Sequence, residues 1–150
     1  MSLDDLYRFG KLEKHSTTSE EIAGLFDVAK RYLKDASQDS ISAELRYIAA
    51  YQAALAAGEA FLHCNGYKTP KMSHHYMVWE ALRQVLDKSF KEQLALFNDA
   101  RNKRADAFYD HAGLINETEY KEVFDESKRF VESLRGKIKK DFPSLWKGIR

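Results

Sequence analysis

Cysteine is almost missing from this sequence, and its glycines never cluster. Cys64 is the only cysteine among 150 residues, so the chain cannot form an internal disulfide, which fits a reducing cytosol. The seven glycines are scattered singly. No glycine-rich phosphate loop and no GxSxG nucleophile turn is present. These absences argue against a P-loop or dinucleotide-binding site, and we predict no cofactor.

A strong net charge and a long apolar run are also missing. The net charge at pH 7 is +1, so no overall attraction draws the chain to nucleic acid or to a membrane. Any anion site must therefore be a local patch. The N-terminal segment carries Asp4 and Asp5, unlike a signal peptide. The longest mainly apolar stretch, 47–64, is interrupted by Glu59 and His63, so we expect a cytoplasmic protein without a membrane span.

Metal-ligand spacing is not apparent either. The histidines are His15, His63, His74, His75 and His111, and no two of them are separated by the four positions of an HExxH motif. His74 and His75 are adjacent, so their side chains point about 100° apart on a helix. We predict no metal site, and we expect these histidines on the surface or at helix starts.

What the sequence does have is apolar residues at helical spacing along most of its length. Capping residues precede the stripes at 22–33 and 120–138. No segment alternates with the period of a strand, and residues 1–16 read as a loosely ordered lead-in with at most one helical turn. We predict one all-α domain over 1–150, an up-and-down bundle of four to five helices without a sheet. The predicted helices span about 18–35, 39–65, 73–87, 92–108 and 116–142.

The second predicted helix is apolar nearly all round, so we place it at the centre of the bundle. Asp39 or Ser40 would cap it. Glu59 lies on its inner seam, and a buried carboxylate is costly without a partner. Glu59 should therefore meet a cation or line a cavity, unless it is a rim residue with its carboxylate in water. The predicted seam consists of Ile41, Leu45, Ile48, Leu55 and Leu62.

The main candidate for a functional segment is 98–110, which we call the RN segment. On a helix, Arg101 shares a face with the apolar Ala105 and Phe108, so its guanidinium should lie at a rim or in a cleft. Arginine suits bidentate contact with phosphate, and a nearby aromatic ring can stack on a base. The alternative is a solvated helix face with internal charge pairs. The polar and aromatic members are Asn98, Asp99, Arg101, Asn102, Lys103, Arg104, Asp106, Phe108, Tyr109 and Asp110.

Together with the Ala-rich stretch 47–62 and the long closing helix, the RN segment resembles the HEPN superfamily over about 40–138. HEPN domains are small helical bundles, usually dimeric, and their ribonuclease members pair an Arg and a polar residue with a His a few positions later. Arg101-Asn102 matches the first half. The expected His positions hold Asp106, Ala107 and Phe108, and His111 lies too far along. An Asp cannot shuttle protons near neutral pH unless its pKa is raised considerably.

The leading hypothesis is a HEPN-like domain without conventional nuclease activity that binds a nucleotide, RNA or partner protein. The ligand contacts would come from Arg101, Asn102 and Arg104. Glu59, with Asp106 and Tyr109, would order the site. The resemblance also implies a homodimer, although fold-level analogy is weaker support than a site.

Two other functions fit the same residues. One is a metal-independent RNase, such as the toxin of a toxin–antitoxin pair with an antitoxin or nucleotidyltransferase partner. Its catalytic candidates are Arg101, Asn102, Asp106 and Tyr109, with His111 as a further proton carrier. The other is a structural adaptor, in which Arg101 only ties helices together through a pair with Glu59.

Overall fold

The chain folds as an all-α protein, as predicted, with the addition of one small sheet. The computed structural model describes residues 1–109 and 115–147, without the side chains of residues 73 and 106–109. In these residues the helices are α1 (Leu3–Arg8), α2 (Ser19–Ala36), α3 (Ala43–Cys64), α4 (His74–Val85), α5 (Lys91–Tyr109) and α6 (Glu117–Asp141). Short 3-10 turns lie at Lys71–Ser73, Lys88–Phe90 and Pro143–Leu145. The strands are β1 (Glu13–Lys14) and β2 (Tyr67–Lys68).

Capping residues define where the helices begin. The Thr18 side chain accepts a hydrogen bond from the Glu21 backbone N–H at 3.1 Å and starts α2. Asn116 and Glu119 form the reciprocal capping box that starts α6, so both predicted starts are confirmed. The cap of α3 is Ser42, not Asp39 or Ser40, because the chain first makes a turn in which the Ile41 N–H donates to the Gln38 carbonyl.

The central helix of the fold is α3, which packs against α2, α4, α5 and α6. Its alanines at 50, 53, 54, 57 and 60 are all fully buried. Small residues let neighbouring helices approach closely, and Gly58 shows this most directly. A Cβ at Gly58 would lie 2.9 Å from Leu82 Cδ1 and 3.3 Å from Val78 Cγ1. This close contact holds α4 against the half of α3 that carries Glu59.

The predicted inner seam of α3 is wrong at its N-terminal end. Leu45 is 51% exposed, and the buried residue there is Arg46. The Arg46 guanidinium donates to Glu117 at 2.6 Å and to the Ile41 carbonyl at 2.9 Å, and it lies over the ring of Tyr120. These partners offset the cost of burying the charge. They also tie the start of α3 to the start of α6.

Residues 1–16 are packed rather than loosely ordered, and the expectation of no sheet is wrong. Leu12 is 2% exposed and packs with Leu62 and Met77. β1 pairs antiparallel with β2, with Glu13 opposite Lys68. Strands of two residues each are too short to produce an alternating pattern in the sequence. None of the helices in the described residues combines the length and apolar composition needed to cross a bilayer.

Candidate functional site

Two arginines of the RN segment lie against aromatic rings from other helices. The Arg101 guanidinium carbon is 5.4 Å from the ring centre of Tyr76, and its Nε donates to Asn98 Oδ1 at 3.3 Å. The Arg104 guanidinium carbon is 5.8 Å from the ring centre of Tyr51. Both side chains are partly buried, as the sequence predicted for Arg101. Cation–π contact accounts for this position, because an aromatic face attracts a guanidinium.

Arg104 keeps unused hydrogen-bonding capacity. Its Nε is buried and has no hydrogen-bond partner among the described residues. A buried donor without an acceptor costs about 1–3 kcal/mol.

A chain of hydrogen bonds leads from the core to His75 at the start of α4. Trp79 Nε1 donates to the Tyr51 hydroxyl at 3.0 Å, and that hydroxyl lies 3.1 Å from His75 Nδ1. The indole can only donate, so the Tyr51 hydroxyl accepts from it and can in turn donate its own proton to His75 Nδ1. An accepting Nδ1 leaves the proton of a neutral His75 on Nε2, and this is an assigned tautomer.

The pKa values of this chain agree with that assignment. Burial raises the pKa of Tyr51 to about 12, although the Trp79 hydrogen bond and the nearby arginines oppose the rise. Burial, followed by the charges of Arg104 and His74, lowers the pKa of His75 to about 4. Both groups are therefore uncharged at neutral pH. We call Tyr51, His75, Tyr76, Arg101 and Arg104 the arginine–histidine cluster.

Glu59 meets an ionisable partner, but this partner comes from α4 rather than α5. Glu59 Oε1 lies 2.9 Å from His74 Nε2, and the Glu59 side chain is 20% exposed. Thr69 Oγ1 holds the other ring nitrogen of His74 at 2.7 Å. The hydrogen bond to Glu59 raises the pKa of His74. Among the described side chains, Glu59 pairs with His74 and not with Arg101, so the pairing proposed for the structural adaptor is corrected.

Two other sequence candidates, Asn102 and Lys103, are not drawn into the cluster. Asn102 is exposed, and Lys103 forms an ion pair with Glu119. The side chains of Asp106 and Tyr109 lie outside the described residues, as does the whole of His111 and most of the predicted loop 110–115.

Sequence reasoning missed the contribution of α4. His75 was expected only on the surface or at a helix start, and Tyr76 was not among the candidates. His75 supplies an imidazole beside the arginines, although α5 lacks the motif His. Spacing could not reveal it, because residues 75 and 104 meet through the packing of separate helices.

A groove borders the cluster on the side of His75. Its volume is about 970 Å³, and His75 and the Glu59–His74 pair form one side of it. His63 lies on the same groove and belongs to a second polar group with His15 and Glu21. In that group, His15 Nε2 and His63 Nδ1 lie 2.7 Å and 2.8 Å from Glu21 Oε1.

Comparison with known families identifies the family of this chain. The family model described as SAV_6107-like HEPN matches residues 36–135. That range contains α3, α4, α5 and most of α6, and with them Glu59 and the whole arginine–histidine cluster. No match was found among curated proteins or among solved structures.

Proposed function

We propose that this chain, which belongs to the SAV_6107-like HEPN family, binds the phosphate of a nucleotide or RNA at its arginine–histidine cluster, without conventional nuclease activity. The observation that carries the proposal is that Arg101 and Arg104 are both partly buried against aromatic rings, and neither forms an ion pair among the described residues. A guanidinium presents several donors in a fixed planar fork that suits phosphate oxygens. Arg101 lies on the same helix, one turn away, and adds a second positive charge.

Two further groups of the cluster suit a nucleotide. The neutral His75 keeps its Nε2–H as a donor, because Nδ1 is occupied by the Tyr51 hydroxyl. Tyr76 is 46% exposed and lies beside Arg101. An exposed ring next to a phosphate-binding cation can stack on a base, and such stacking contributes about 1–3 kcal/mol per base.

A binding role fits the protonation of His75 better than a catalytic one. The pKa of His75 is about 4, so the imidazolium form that could protonate a leaving group is scarcely populated at neutral pH. It is also a weak base, since proton transfer is most efficient when the catalytic pKa lies near the working pH.

Metal-independent RNA cleavage is a second candidate function. The observation that favours it is the position of the His75 imidazole beside the arginines. A bound phosphate would bring a negative charge next to His75, and an opposite charge favours the protonated form. The pKa of His75 would then rise toward the range in which it could exchange protons. Arg101 and Arg104 would stabilise the charge of the transition state.

Binding is tested by titrating the protein with AMP and with a short single-stranded RNA. Arg104→Ala should weaken binding by about 10- to 100-fold, because a hydrogen bond to a charged group contributes about 1.5–3 kcal/mol. Lys103→Ala is the matched control, since it removes an adjacent cation that pairs with Glu119 outside the cluster. Equal affinity for wild type and Arg104→Ala would exclude the site.

Cleavage is tested separately, by incubating the protein with RNA in the presence of a chelator. We expect intact RNA with wild type and with His75→Ala. Cleavage by wild type that is lost in both His75→Ala and Arg104→Ala would replace the binding proposal with the ribonuclease one.

By analogy with the family, we also propose that the chain forms a homodimer. On the same ground we propose a nucleotidyltransferase or antitoxin as a partner. One apolar side chain next to the site is available for a dimer contact. Met72 is 99% exposed at the edge of the groove. Light scattering should give twice the mass of the chain, and Met72→Lys should shift the protein toward the monomer.

A further inference from the structure

We propose a divalent metal site formed by His15, Glu21 and His63, separate from the arginine–histidine cluster. His15 Nε2 and His63 Nδ1 lie 2.7 Å and 2.8 Å from one oxygen, Glu21 Oε1. All three ligand atoms lie within 4.8 Å of one another. The two imidazole rings lie close together, with their centres 4.5 Å apart. The site stands whether or not the phosphate proposal does.

Three separate parts of the fold hold these ligands in place. The backbone N–H of His15 donates to the Gly66 carbonyl at 2.9 Å, which fixes the segment after β1 to the turn after α3. Glu21 lies in the first turn of α2, where its backbone N–H is bound by the capping residue Thr18. His63 lies in the last turn of α3. Each ligand therefore stands on backbone that is ordered by its own hydrogen bonds.

The donor set suits zinc. Two imidazole nitrogens and one carboxylate oxygen form a common three-ligand zinc set, and water can take the fourth position. Zinc bonds of about 2.0–2.1 Å place neighbouring tetrahedral ligands about 3.3 Å apart. The present separations of 2.7 and 2.8 Å need to widen by only about half an ångström. Small side-chain rotations on a fixed backbone can supply this.

The surroundings also suit a metal. Thr17 Oγ1 donates to Glu21 Oε1 at 2.8 Å and orients the carboxylate, as the outer contacts of metal sites do. The His15 and His63 side chains are 20% and 14% exposed, so they are shielded but reachable. His63 also lines the groove, which gives an ion a path in from solvent.

The empty and filled states differ in where the imidazole protons sit. Without metal, His15 Nε2 and His63 Nδ1 each donate to Glu21 Oε1, because a carboxylate can only accept. A metal needs those two nitrogens unprotonated, so the protons move to His15 Nδ1 and His63 Nε2. The tautomers therefore provide a readout that is independent of affinity.

The test is a calorimetric titration of chelator-treated protein with Zn²⁺ alone. We expect one zinc per chain, and at least a tenfold loss of affinity in His15→Gln and in Glu21→Gln, because even outer contacts of metal sites contribute about 10- to 100-fold. His74→Gln is the matched control, since it removes another partly buried, carboxylate-paired histidine outside the site. Arg104→Ala should also bind zinc normally, which separates this site from the phosphate site.

Two outcomes would overturn the proposal. One is the absence of saturable binding. The other is equal affinity in wild type, His15→Gln and His74→Gln, which would mean an adventitious ion only. If His15→Gln and Glu21→Gln fail to fold, Thr17→Val decides, because it keeps all three ligands and should still weaken zinc binding by about tenfold. The nitrogen chemical shifts of His15 and His63 should report the exchange of tautomers in wild type.

Discussion

At the scale of single residues, the charge of His75 is decided by burial and by its neighbours. Burial, Arg104 and His74 together lower its pKa from 6.5 to about 4. A histidine on the surface would titrate near pH 6.5. The cluster therefore presents two permanent cations and a neutral donor across the physiological pH range. That combination is suited to holding an anion and poorly suited to passing protons.

The lowered pKa of His75 has a consequence for stability. Below pH 6.5 the unfolded chain takes up a proton at this position, and the folded protein does so only near pH 4. The contribution of uncharged His75 to the free energy of unfolding is therefore complete above pH 6.5, and it is lost as the pH falls toward 4. Between pH 7 and pH 5, the free energy of unfolding should fall by about 1 kcal/mol less in His75→Gln than in wild type, after allowance for solvent screening. Urea denaturation at both pH values measures this.

The neighbouring His74 is a control of opposite sign. Its pKa is raised by Glu59, so its contribution is present below pH 6.5 and is lost as the pH rises through the folded pKa. The free energy of unfolding should therefore fall more steeply with decreasing pH in His74→Gln than in wild type. If both substitutions changed the slope in the same direction, the assignment of the two histidines would be wrong.

At the scale of the elements, Gly58 sets how closely α3 and α4 approach. An added Cβ would meet Leu82 Cδ1 at 2.9 Å and Val78 Cγ1 at 3.3 Å. The Leu82 side chain can move its terminal methyl group by rotation. The β-branched and fully buried Val78 cannot move its methyl groups in this way. Gly58→Ala should destabilise the protein by about 1 kcal/mol, because overpacking costs about 1–3 kcal/mol and helix propensity returns about 1. Thermal unfolding checks this.

Gly136 provides the matched control. It lies in the interior of α6, and a Cβ added there would have no neighbouring atom within 4 Å outside the helix's own backbone. Gly136→Ala should stabilise the protein by about 0.5–1 kcal/mol through helix propensity alone. If Gly58→Ala stabilised the protein equally, α3 and α4 would not be in close contact.

Sequence signals predicted the elements well where the causes are local. The starts of α2 and α6 follow from Thr18 and Asn116, whose side chains bind backbone within their own first turns. The burial of Arg46 could not be predicted, because its partners come from a distant helix and a turn. The RN segment could be recognised in the sequence because its charged residues are adjacent. His75 could not be recognised as part of the site, because its neighbours Tyr51 and Arg104 are distant in the sequence.

At the scale of the whole molecule, the N-terminal segment extends the matched HEPN region. The family match begins at residue 36, so α1, β1 and most of α2 lie outside it. The segment covers the side of α3 and α4 where Leu62 and Met77 would otherwise be exposed. It also brings His15 to the proposed metal site. We therefore expect 1–150 to unfold as one cooperative unit.

Leu12→Ala tests that expectation. Leu12 is 2% exposed in the cluster with Leu62 and Met77, so the substitution should cost about 2–3 kcal/mol through lost burial and the remaining cavity. Leu45→Ala is the matched control: Leu45 is 51% exposed, so the change should stay within about 0.5 kcal/mol. Circular dichroism and tryptophan fluorescence, to which Trp79 and Trp146 both contribute, should report the same midpoint in each variant, because one cooperative unit gives coincident transitions. A loss in Leu12→Ala as small as that in Leu45→Ala, or an earlier transition seen by only one probe, would mean that the N-terminal segment is attached to the bundle without stabilising it.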